Sequence, residues 1–259
     1  MGIIKKFRIT KFKNQQPLIS LKNISISFGK RKVLDNISFN VNKGSIMGLL
    51  GPNGVGKSTI FSLILGQLKP DYGIIKFGKV DATNYPIYLR TKEFKIGYVP
   101  QHTGYFHDLT LFENLQAIAE VLIVDEKKRV LEIDSLISKF ELDAVKDVKA
   151  KFLSGGQKKK CVIAMALLGS PNILLLDEPF SALDILTIKM LQEIIVNLQS
   201  ENPSMCIMLC DHAARDLLTC CDNAIILSNT HIVAQGTPSQ LIKDDKAKTA
   251  YFGDSFRFN

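Results

Sequence analysis

A glycine-rich segment followed by a lysine and a serine is the part of this sequence best suited to bind phosphate. Residues 51–58 read GPNGVGKS and fit the pattern GxxxxGK[ST], between a predicted strand at Ser45–Leu50 and a predicted helix at Lys57–Leu68. Glycines let successive backbone N–H groups point at phosphate oxygens, and the helix start adds partial positive charge. Lys57 is expected to reach the β- and γ-phosphates, and the Ser58 hydroxyl to bind Mg²⁺. The predicted nucleotide-binding residues here are Gly51, Pro52, Asn53, Gly54, Val55, Gly56, Lys57, Ser58 and Thr59.

Two acids at the end of an apolar strand form a second candidate group. Ile173–Leu176 is entirely apolar, which is typical of a strand buried on both faces of a parallel sheet, and Asp177 and Glu178 follow it directly. Phosphate loops lie at the same, carboxyl edge of such sheets. Asp177 is therefore predicted to hold Mg²⁺ through water, and Glu178 to orient or deprotonate an attacking water. A solvated acidic turn is the alternative interpretation.

A third segment, LSGGQ at residues 153–157, opens another predicted helix, which ends near Gly169. It offers a hydroxyl, two unhindered backbone N–H groups and an amide at a helix N-terminus, where an anion is stabilised. The simpler interpretation of Ser154 is an ordinary helix cap.

The composition excludes several classes of protein. The 259 residues are 46% hydrophobic and 22% charged, which is typical of a globular chain and not of a disordered one. No apolar run approaches the roughly 18 residues of a membrane span, and no secretory signal is visible. The formal net charge is +8, but the basic residues are scattered apart from the first 13 residues and Lys158–Lys160. Both clusters are predicted to be solvated, so nucleic acid is not an expected partner; the first could also contact anionic lipid headgroups.

The cysteines indicate a reducing compartment. Their number, five, is odd, and a disulfide framework is therefore not expected. A zinc site built from Cys206, Cys210, His212, Cys220 and Cys221 is an alternative, but the spacing fits no standard zinc pattern. Buried thiols are the preferred interpretation.

Strand and helix patterns alternate along most of the chain, which predicts an α/β fold with a mainly parallel sheet. The segment from about Arg90 to Phe152 is poor in strands and resembles a helical insertion. Within it, Thr110 and Glu113 form a capping-box pattern at a helix start. No linker and no internal repeat divide the chain, so one nucleotide-handling unit is expected.

The phosphate loop, LSGGQ and LLLDEP occur in the order and at the spacing of ABC-type ATPases, which this chain resembles over about residues 18–253. The resemblance implies a P-loop NTPase fold with a mainly parallel core sheet, an antiparallel β subdomain and a helical subdomain at about 90–160. The predicted division of the chain is a basic N-terminal arm at 1–16, an ATPase domain at 17–253 and a C-terminal tail at 254–259. The arm is longer than the core of the family requires. The implied cofactors are ATP and Mg²⁺.

Further roles follow from the resemblance alone. Gln101 matches a glutamine that senses Mg²⁺, and His212 matches the switch histidine that contacts the γ-phosphate. Asp184 matches the D-loop, and Phe28 an aromatic residue that stacks on adenine. The family also implies a homodimer, in which the phosphate loop of one chain and the signature segment of the other enclose each ATP. The signature residues acting in this way are Ser154, Gly155, Gly156 and Gln157.

Within the family, residues 234–258 and the surroundings of Gln101 are similar to the lipopolysaccharide-export ATPases of Gram-negative bacteria. That likeness implies a peripheral protein on the cytoplasmic face of the inner membrane. It would work with a permease pair, reach the membrane only through these partners, and use Phe106 to line the groove for a partner helix. A branched-chain amino-acid importer ATPase is the alternative. A non-transport ABC protein and a GTP switch are less favoured, since the chain has neither a second cassette nor an Asn-Lys-x-Asp motif.

Overall fold

A computed structural model of the protein describes residues 17–102 and 104–253; the proposed arm at 1–16 and tail at 254–259 lie outside them. The described strands are Ile19–Phe28 (β1), Arg31–Val41 (β2), Ile46–Leu50 (β3), Tyr72–Phe77 (β4), Val80–Asp81 (β5), Ile96–Val99 (β6), Ile173–Asp177 (β7), Cys206–Asp211 (β8), Asn223–Ser228 (β9) and His231–Gly236 (β10). The α-helices are Lys57–Leu65 (α1), Ile87–Phe94 (α2), Leu111–Leu122 (α3), Glu126–Lys139 (α4), Gly155–Leu167 (α5), Ile185–Glu201 (α6), Ala214–Cys220 (α7), Pro238–Leu241 (α8) and Asp245–Ala247 (α9). Asp143–Val145 and Ala150–Phe152 are 3₁₀ turns, and Lys248–Phe252 is a π-helical turn.

A six-stranded sheet in the order β10-β9-β3-β8-β7-β6 forms the centre of the molecule. Its strands are parallel except for the β9–β10 pair. Strands β3, β7 and β8 are buried along their whole length, which explains why they read as continuous apolar runs. The register pairs Leu50 with Asp211 and Asp177 with Cys210, so the carboxyl ends of these three strands meet at one edge.

A second sheet is antiparallel and has four strands in the order β2-β1-β4-β5. Its buried face, α1 and one face of the central sheet share one hydrophobic core, in which Phe61 and Ile64 of α1 are inaccessible to solvent. A second core joins the opposite face of the central sheet to α3–α7. Helix α1, with the phosphate loop at its start, is therefore fixed between the two sheets. The expected combination of a mainly parallel core, an antiparallel β subdomain and a helical region is confirmed.

The helical region lies between β6 and α5. Helix α3 begins with the predicted capping box: the Thr110 hydroxyl accepts from the Glu113 N–H, and the Glu113 carboxylate accepts from the Thr110 N–H. Asp125 caps α4 in a similar way. The buried Asn114 side chain donates to the carbonyls of Phe106 and Thr110, which fixes the loop before α3. The bounds of a helical subdomain at about 90–160 remain a prediction.

Several elements differ from the sequence-based expectation. Helix α1 ends at Leu65 rather than Leu68 because Gly66 adopts a left-handed conformation and caps it. Helix α2 and strand β10 were not expected, because the first lacks a polar N-cap side chain and the second lacks regular alternation. The Lys158–Lys160 run is not the solvated face that was expected: Lys160 is buried and its ammonium lies 3.3 Å from the Glu141 carboxylate.

All five cysteines are buried, as expected of thiols in strand and helix interiors. Within residues 17–102 and 104–253, no group of three His, Cys, Asp or Glu side chains is arranged to hold a metal, so the zinc alternative has no such cluster. In the same part of the chain, no helix has the length and apolar character needed to cross a bilayer.

Arg90 fixes the end of α1 and is the largest fully buried side chain described, with 1% of its surface exposed. Its guanidinium donates to the carbonyls of Leu63 and Ile64 in the last turn of α1, and also to those of Thr83 and Tyr85. Burial lowers the pKa of this guanidinium. One side chain thereby donates to four carbonyls, of which that of Leu63 also accepts from the Gly66 N–H that caps α1.

We expect Arg90→Leu to lower the free energy of unfolding by about 3 kcal/mol, because it removes the guanidinium that donates to all four carbonyls. Urea denaturation followed by circular dichroism measures the change. Lys69→Leu, at an exposed site shortly after the same helix, is the control and should shift the midpoint little. A loss below about 1 kcal/mol for Arg90→Leu would show that water replaces the guanidinium.

Candidate functional site

Two glycines of the phosphate loop, Gly51 and Gly56, have positive φ angles and no room for a side chain. Gly56 immediately precedes α1 with φ 113°, and a Cβ there would lie 2.7 Å from a methyl carbon of Leu34. A Cβ on Gly51 would lie 2.6 Å from the carbonyl oxygen of Leu227 in β9. These positions require glycine because left-handed angles and close approach exclude other residues. The strand–loop–helix context predicted for residues 51–58 is present.

Lys57 is folded across this loop. Its ammonium donates to the carbonyls of Gly51 at 2.7 Å and Pro52 at 3.1 Å, and the side chain is buried. Arg31 donates to the Gly54 carbonyl at 3.5 Å, which places the β1–β2 turn beside the loop. Phe28 ends β1 at that turn, and its side chain is 50% exposed. Stacking of this ring on adenine stays a prediction.

Asp177 and Ser58 come together although 119 residues separate them. The Ser58 hydroxyl donates to Oδ1 of Asp177 at 3.3 Å, and the Tyr98 hydroxyl donates to Oδ2 at 3.4 Å. The Cys210 thiol also donates to Oδ1. Burial and the Asp177 charge raise the pKa of both Tyr98 and Cys210, so both remain protonated donors. A hydroxyl and a carboxylate at this spacing are the hard oxygen ligands that suit Mg²⁺.

The Glu178 carboxylate lies close to two other residues of the predicted site, Gln101 and His212. The carboxylate accepts from Nε2 of Gln101 at 2.8 Å, and Nδ1 of His212 lies 3.6 Å from the same oxygen. The backbone of Glu178 is left-handed, with φ 46°, and its N–H donates to the Cys210 carbonyl at 2.8 Å. A non-glycine residue in this region costs about 1–3 kcal/mol, so the surrounding contacts maintain a strained turn that aims the carboxylate. Only 11% of the side chain is exposed.

Asp211 is a supporting residue of the site that the sequence analysis missed. This carboxylate is fully buried, and it accepts from the Phe180 N–H at 3.1 Å and the Ala213 N–H at 3.0 Å. It thereby holds the loops after β7 and β8, which carry Glu178 and His212. The only sequence signal was an acid at the end of an apolar strand, the same signal that identified Asp177. Tyr98 and Cys210 carried no local signal, since only strand pairing brings them to Asp177.

The LSGGQ segment lies at the start of a different helix. Ser154 caps α5, and Ser154 and Gln157 form a capping box with each other. Ser154 and Gly155 are exposed, whereas a Cβ on Gly156 would lie 3.1 Å from a methyl group of Thr187 in α6. Asp184 caps α6 and accepts from the Thr187 hydroxyl. The structure therefore brings the signature segment beside the Asp184 turn.

Comparison with known proteins identifies the family that has this combination of phosphate loop, acidic strand end and LSGGQ segment. The family profile described as ABC transporter matches residues 34–181, more than half of the chain. This chain is an ATPase of the ABC transporter family. The ABC ATPase is also similar along its length to proteins named "Lipopolysaccharide export system ATP-binding protein LptB". The one from Haemophilus influenzae is 35% identical over 93% of this chain and 99% of that protein. The one from Escherichia coli strain K12 is 33% identical over 92% and 98%.

Solved structures agree with the family. An ATP-binding cassette of an ABC transporter, MJ1267, in its ADP conformation, has a TM-score of 0.81 and 26% identity, covering 93% of this chain and all of that one. The cbiO1 protein of Clostridium perfringens, part of the ABC transporter complex cbiONQ, has a TM-score of 0.81 and 25% identity over 91% and 94%. The ABC ATPase therefore binds and hydrolyses ATP on the fold described above.

The ABC ATPase also has a large apolar groove between α2, α3, α5 and β6. Its volume is about 680 Å³, and its walls include Tyr88, Gly104, Ile118, Val121, Leu122 and Met165. Phe106, which was predicted to line a partner groove, is not among the side chains that line this one. Its ring is 53% exposed, and its backbone N–H donates to the side-chain oxygen Oδ1 of Asn114 at 2.6 Å. A partner contact by Phe106 stays a prediction.

Proposed function

We propose that this ABC ATPase powers the export of lipopolysaccharide through a membrane permease pair, from the cytoplasmic face of the inner membrane. The observation that carries the proposal is the end-to-end match to proteins named for lipopolysaccharide export, which covers 92% of this chain and 98% of the Escherichia coli protein. A match of that extent includes the region after Asp211, beyond the residues that the family profile matches.

Each site residue has a proposed part in ATP hydrolysis. The phosphate-loop N–H groups and Lys57 bind the phosphates, while Phe28 stacks on the adenine. Ser58 and Asp177, with Gln101 nearby, would hold Mg²⁺, which when bound neutralises phosphate charge. Glu178 orients and deprotonates the attacking water, and its contacts with Gln101 and His212 keep the carboxylate in place. His212 donates to the γ-phosphate.

A homodimer would complete the site. The exposed N-terminus of α5 and the two exposed apolar residues Ile185 and Leu186 lie at the same end of the molecule, linked through Thr187. In the proposed head-to-tail arrangement, Ser154 and the glycines after it bind the γ-phosphate held by the partner's phosphate loop. Hydrolysis then adds repulsion between the products, and the pair opens.

The apolar groove is the proposed docking site for a permease helix. It adjoins β6, whose following residues include Gln101, so a helix seated there lies close to the segment that contacts Glu178. Its walls include the exposed apolar side chains Val121 and Leu122 at the end of α3. A groove with apolar walls suits the apolar face of an amphipathic helix.

Reconstitution tests the proposed cargo. The ATPase and the membrane proteins that copurify with it are placed in proteoliposomes that contain lipopolysaccharide, and ATP-dependent extraction of lipopolysaccharide is measured. The matched control complex carries Glu178→Gln, which should assemble with the same partners and extract none. Radiolabelled leucine uptake is measured on the same preparation as the test of the alternative importer function.

Extraction that requires ATP and fails with Glu178→Gln would support export. Leucine uptake without extraction would overturn the proposal in favour of amino-acid import. Copurification of no membrane protein would overturn the transport function and leave the ATPase activity intact.

A further inference from the structure

Tyr251 ties the C-terminal part of the described chain to the loop that carries His212. Its hydroxyl donates a hydrogen bond to the backbone carbonyl of His212 at 2.7 Å, across 39 residues of sequence. The same hydroxyl lies near the backbone of Gly51, the first residue of the phosphate loop. One side chain therefore joins two loops that the proposed function places around the γ-phosphate.

The His212 loop depends on side chains for its shape. His212 lies between the last residue of β8 and the start of α7, and α7 begins without a side-chain cap. Asp211 holds the next residue, Ala213, through its N–H. Tyr251 holds the carbonyl of His212 itself. Because the backbone angles of a residue set the direction of its Cβ, this contact orients the imidazole towards Glu178.

Close packing does not fix the imidazole by itself. The His212 side chain is 47% exposed, and it stands in the wall of a cavity of about 780 Å³. The other walls of that cavity include Ile185, Lys189, Arg215, Tyr251 and Phe252. The Nδ1 atom of His212 lies 3.6 Å from a carboxylate oxygen of Glu178 and 3.6 Å from one of Asp211, both longer than a hydrogen bond. The position of the His212 backbone therefore contributes to placing the imidazole, and Tyr251 contacts that backbone.

Tyr251 is itself held firmly. It lies in the π-helical turn Lys248–Phe252, which ends where the Gly253 N–H donates to the Lys248 carbonyl at 2.8 Å. The rings of Tyr251 and Phe252 pack edge to face, 5.5 Å apart, against the second hydrophobic core. Burial and the nearby Asp211 charge raise the pKa of Tyr251 to about 12, so the hydroxyl remains a donor near neutral pH.

We propose that Tyr251 is a positioning residue for His212, whose hydroxyl holds the His212 loop beside the phosphate loop in the arrangement that ATP hydrolysis requires. The inference rests on the proposed role of His212. It gives the turn Lys248–Phe252 a part in the catalytic cycle in addition to packing on its own domain.

The test compares Tyr251→Phe with the wild-type full-length protein. The substitution removes one hydroxyl and keeps the ring, so we expect kcat for ATP to fall about five- to tenfold while KM changes less than about twofold. Tyr72→Phe is the matched control, because Tyr72 is 75% exposed on the antiparallel sheet. Thermal unfolding of all three proteins should be alike within about 2 °C.

A double-mutant cycle separates positioning from general structure. Single-turnover hydrolysis is measured for His212→Ala with and without Tyr251→Phe. If Tyr251 acts through His212, its removal has less than about a twofold further effect once the imidazole is absent.

Imidazole NMR of the nucleotide-free protein gives a readout that does not depend on turnover. The chain has four histidines, and His212→Ala assigns the signal of His212. Tyr251→Phe should move or broaden that signal and leave those of His107 and His231 in place.

Three results would overturn the inference alone: wild-type kcat in Tyr251→Phe, an undiminished loss of rate in the His212→Ala background, or an unchanged His212 signal. Wild-type turnover in His212→Ala would instead overturn the proposed role of His212, and this inference with it.

Discussion

Glu178→Gln should lower the ATP turnover of this protein at least about 100-fold while leaving ATP binding nearly unchanged. Positioned general bases contribute about 10²–10⁴-fold to rate, and an amide cannot accept the proton of the attacking water. Glutamine has the size of glutamate and can still accept from Nε2 of Gln101, so the strained turn at this position should persist. Turnover is measured as phosphate release, and affinity with a fluorescent ATP analogue.

Glu193→Gln is the matched control for this substitution. Glu193 is exposed on α6, away from the strand ends, and loses the same charge. It should keep wild-type turnover. If Glu178→Gln retains more than a tenth of the wild-type rate with unchanged affinity, the general-base role belongs to another group. Light scattering with ATP should also show Glu178→Gln accumulating as a dimer, because ATP is bound and not consumed.

Lys57→Ala should weaken ATP binding about 10- to 150-fold. Charge-assisted hydrogen bonds to phosphate are worth about 1.5–3 kcal/mol, and Lys57 is the buried ammonium beside this loop. In the described structure the ammonium contacts the Gly51 and Pro52 carbonyls, which shows that it lies over the space inside the loop. Calorimetric titration with ATP measures the dissociation constant directly.

The matched control is Lys79→Ala, an exposed lysine in the turn between β4 and β5. It removes the same charge far from the phosphate loop and should leave the dissociation constant within about twofold. A change of less than threefold for Lys57→Ala would contradict the phosphate-binding role. Circular dichroism should show both variants folded.

The parts of the site that the sequence predicted are those built from neighbouring residues. The phosphate loop, the acids after β7 and the Ser154 cap each depend on a run of fewer than ten residues. Backbone chemistry acts at that range: glycines permit left-handed angles, a Ser or Thr hydroxyl caps a helix, and an apolar run marks a strand buried on both faces. The α/β class followed from the alternation of such runs.

These local patterns predicted neither the order of the strands in the sheet nor their register. Nothing local in β3 indicates that β8 lies on one side of it and β9 on the other, yet that order brings Asp211 beside the phosphate loop. The register of β7 against β8 places Cys210 on Asp177 and gives Glu178 its backbone partner. The Lys158–Lys160 run was misjudged for a similar reason, because burial of Lys160 depends on the partner Glu141 in another segment.

The sequence by itself determined the family and the short segments that are predicted to bind phosphate and metal, since such segments fix their own turns and caps. The tertiary structure decided which of these residues meet. The Gln101–Glu178–His212 contacts and the Tyr251 link to the His212 loop join segments separated by 34 to 77 residues. Such contacts arise from strand pairing and packing over long separations, and these are set by the whole core rather than by any one segment.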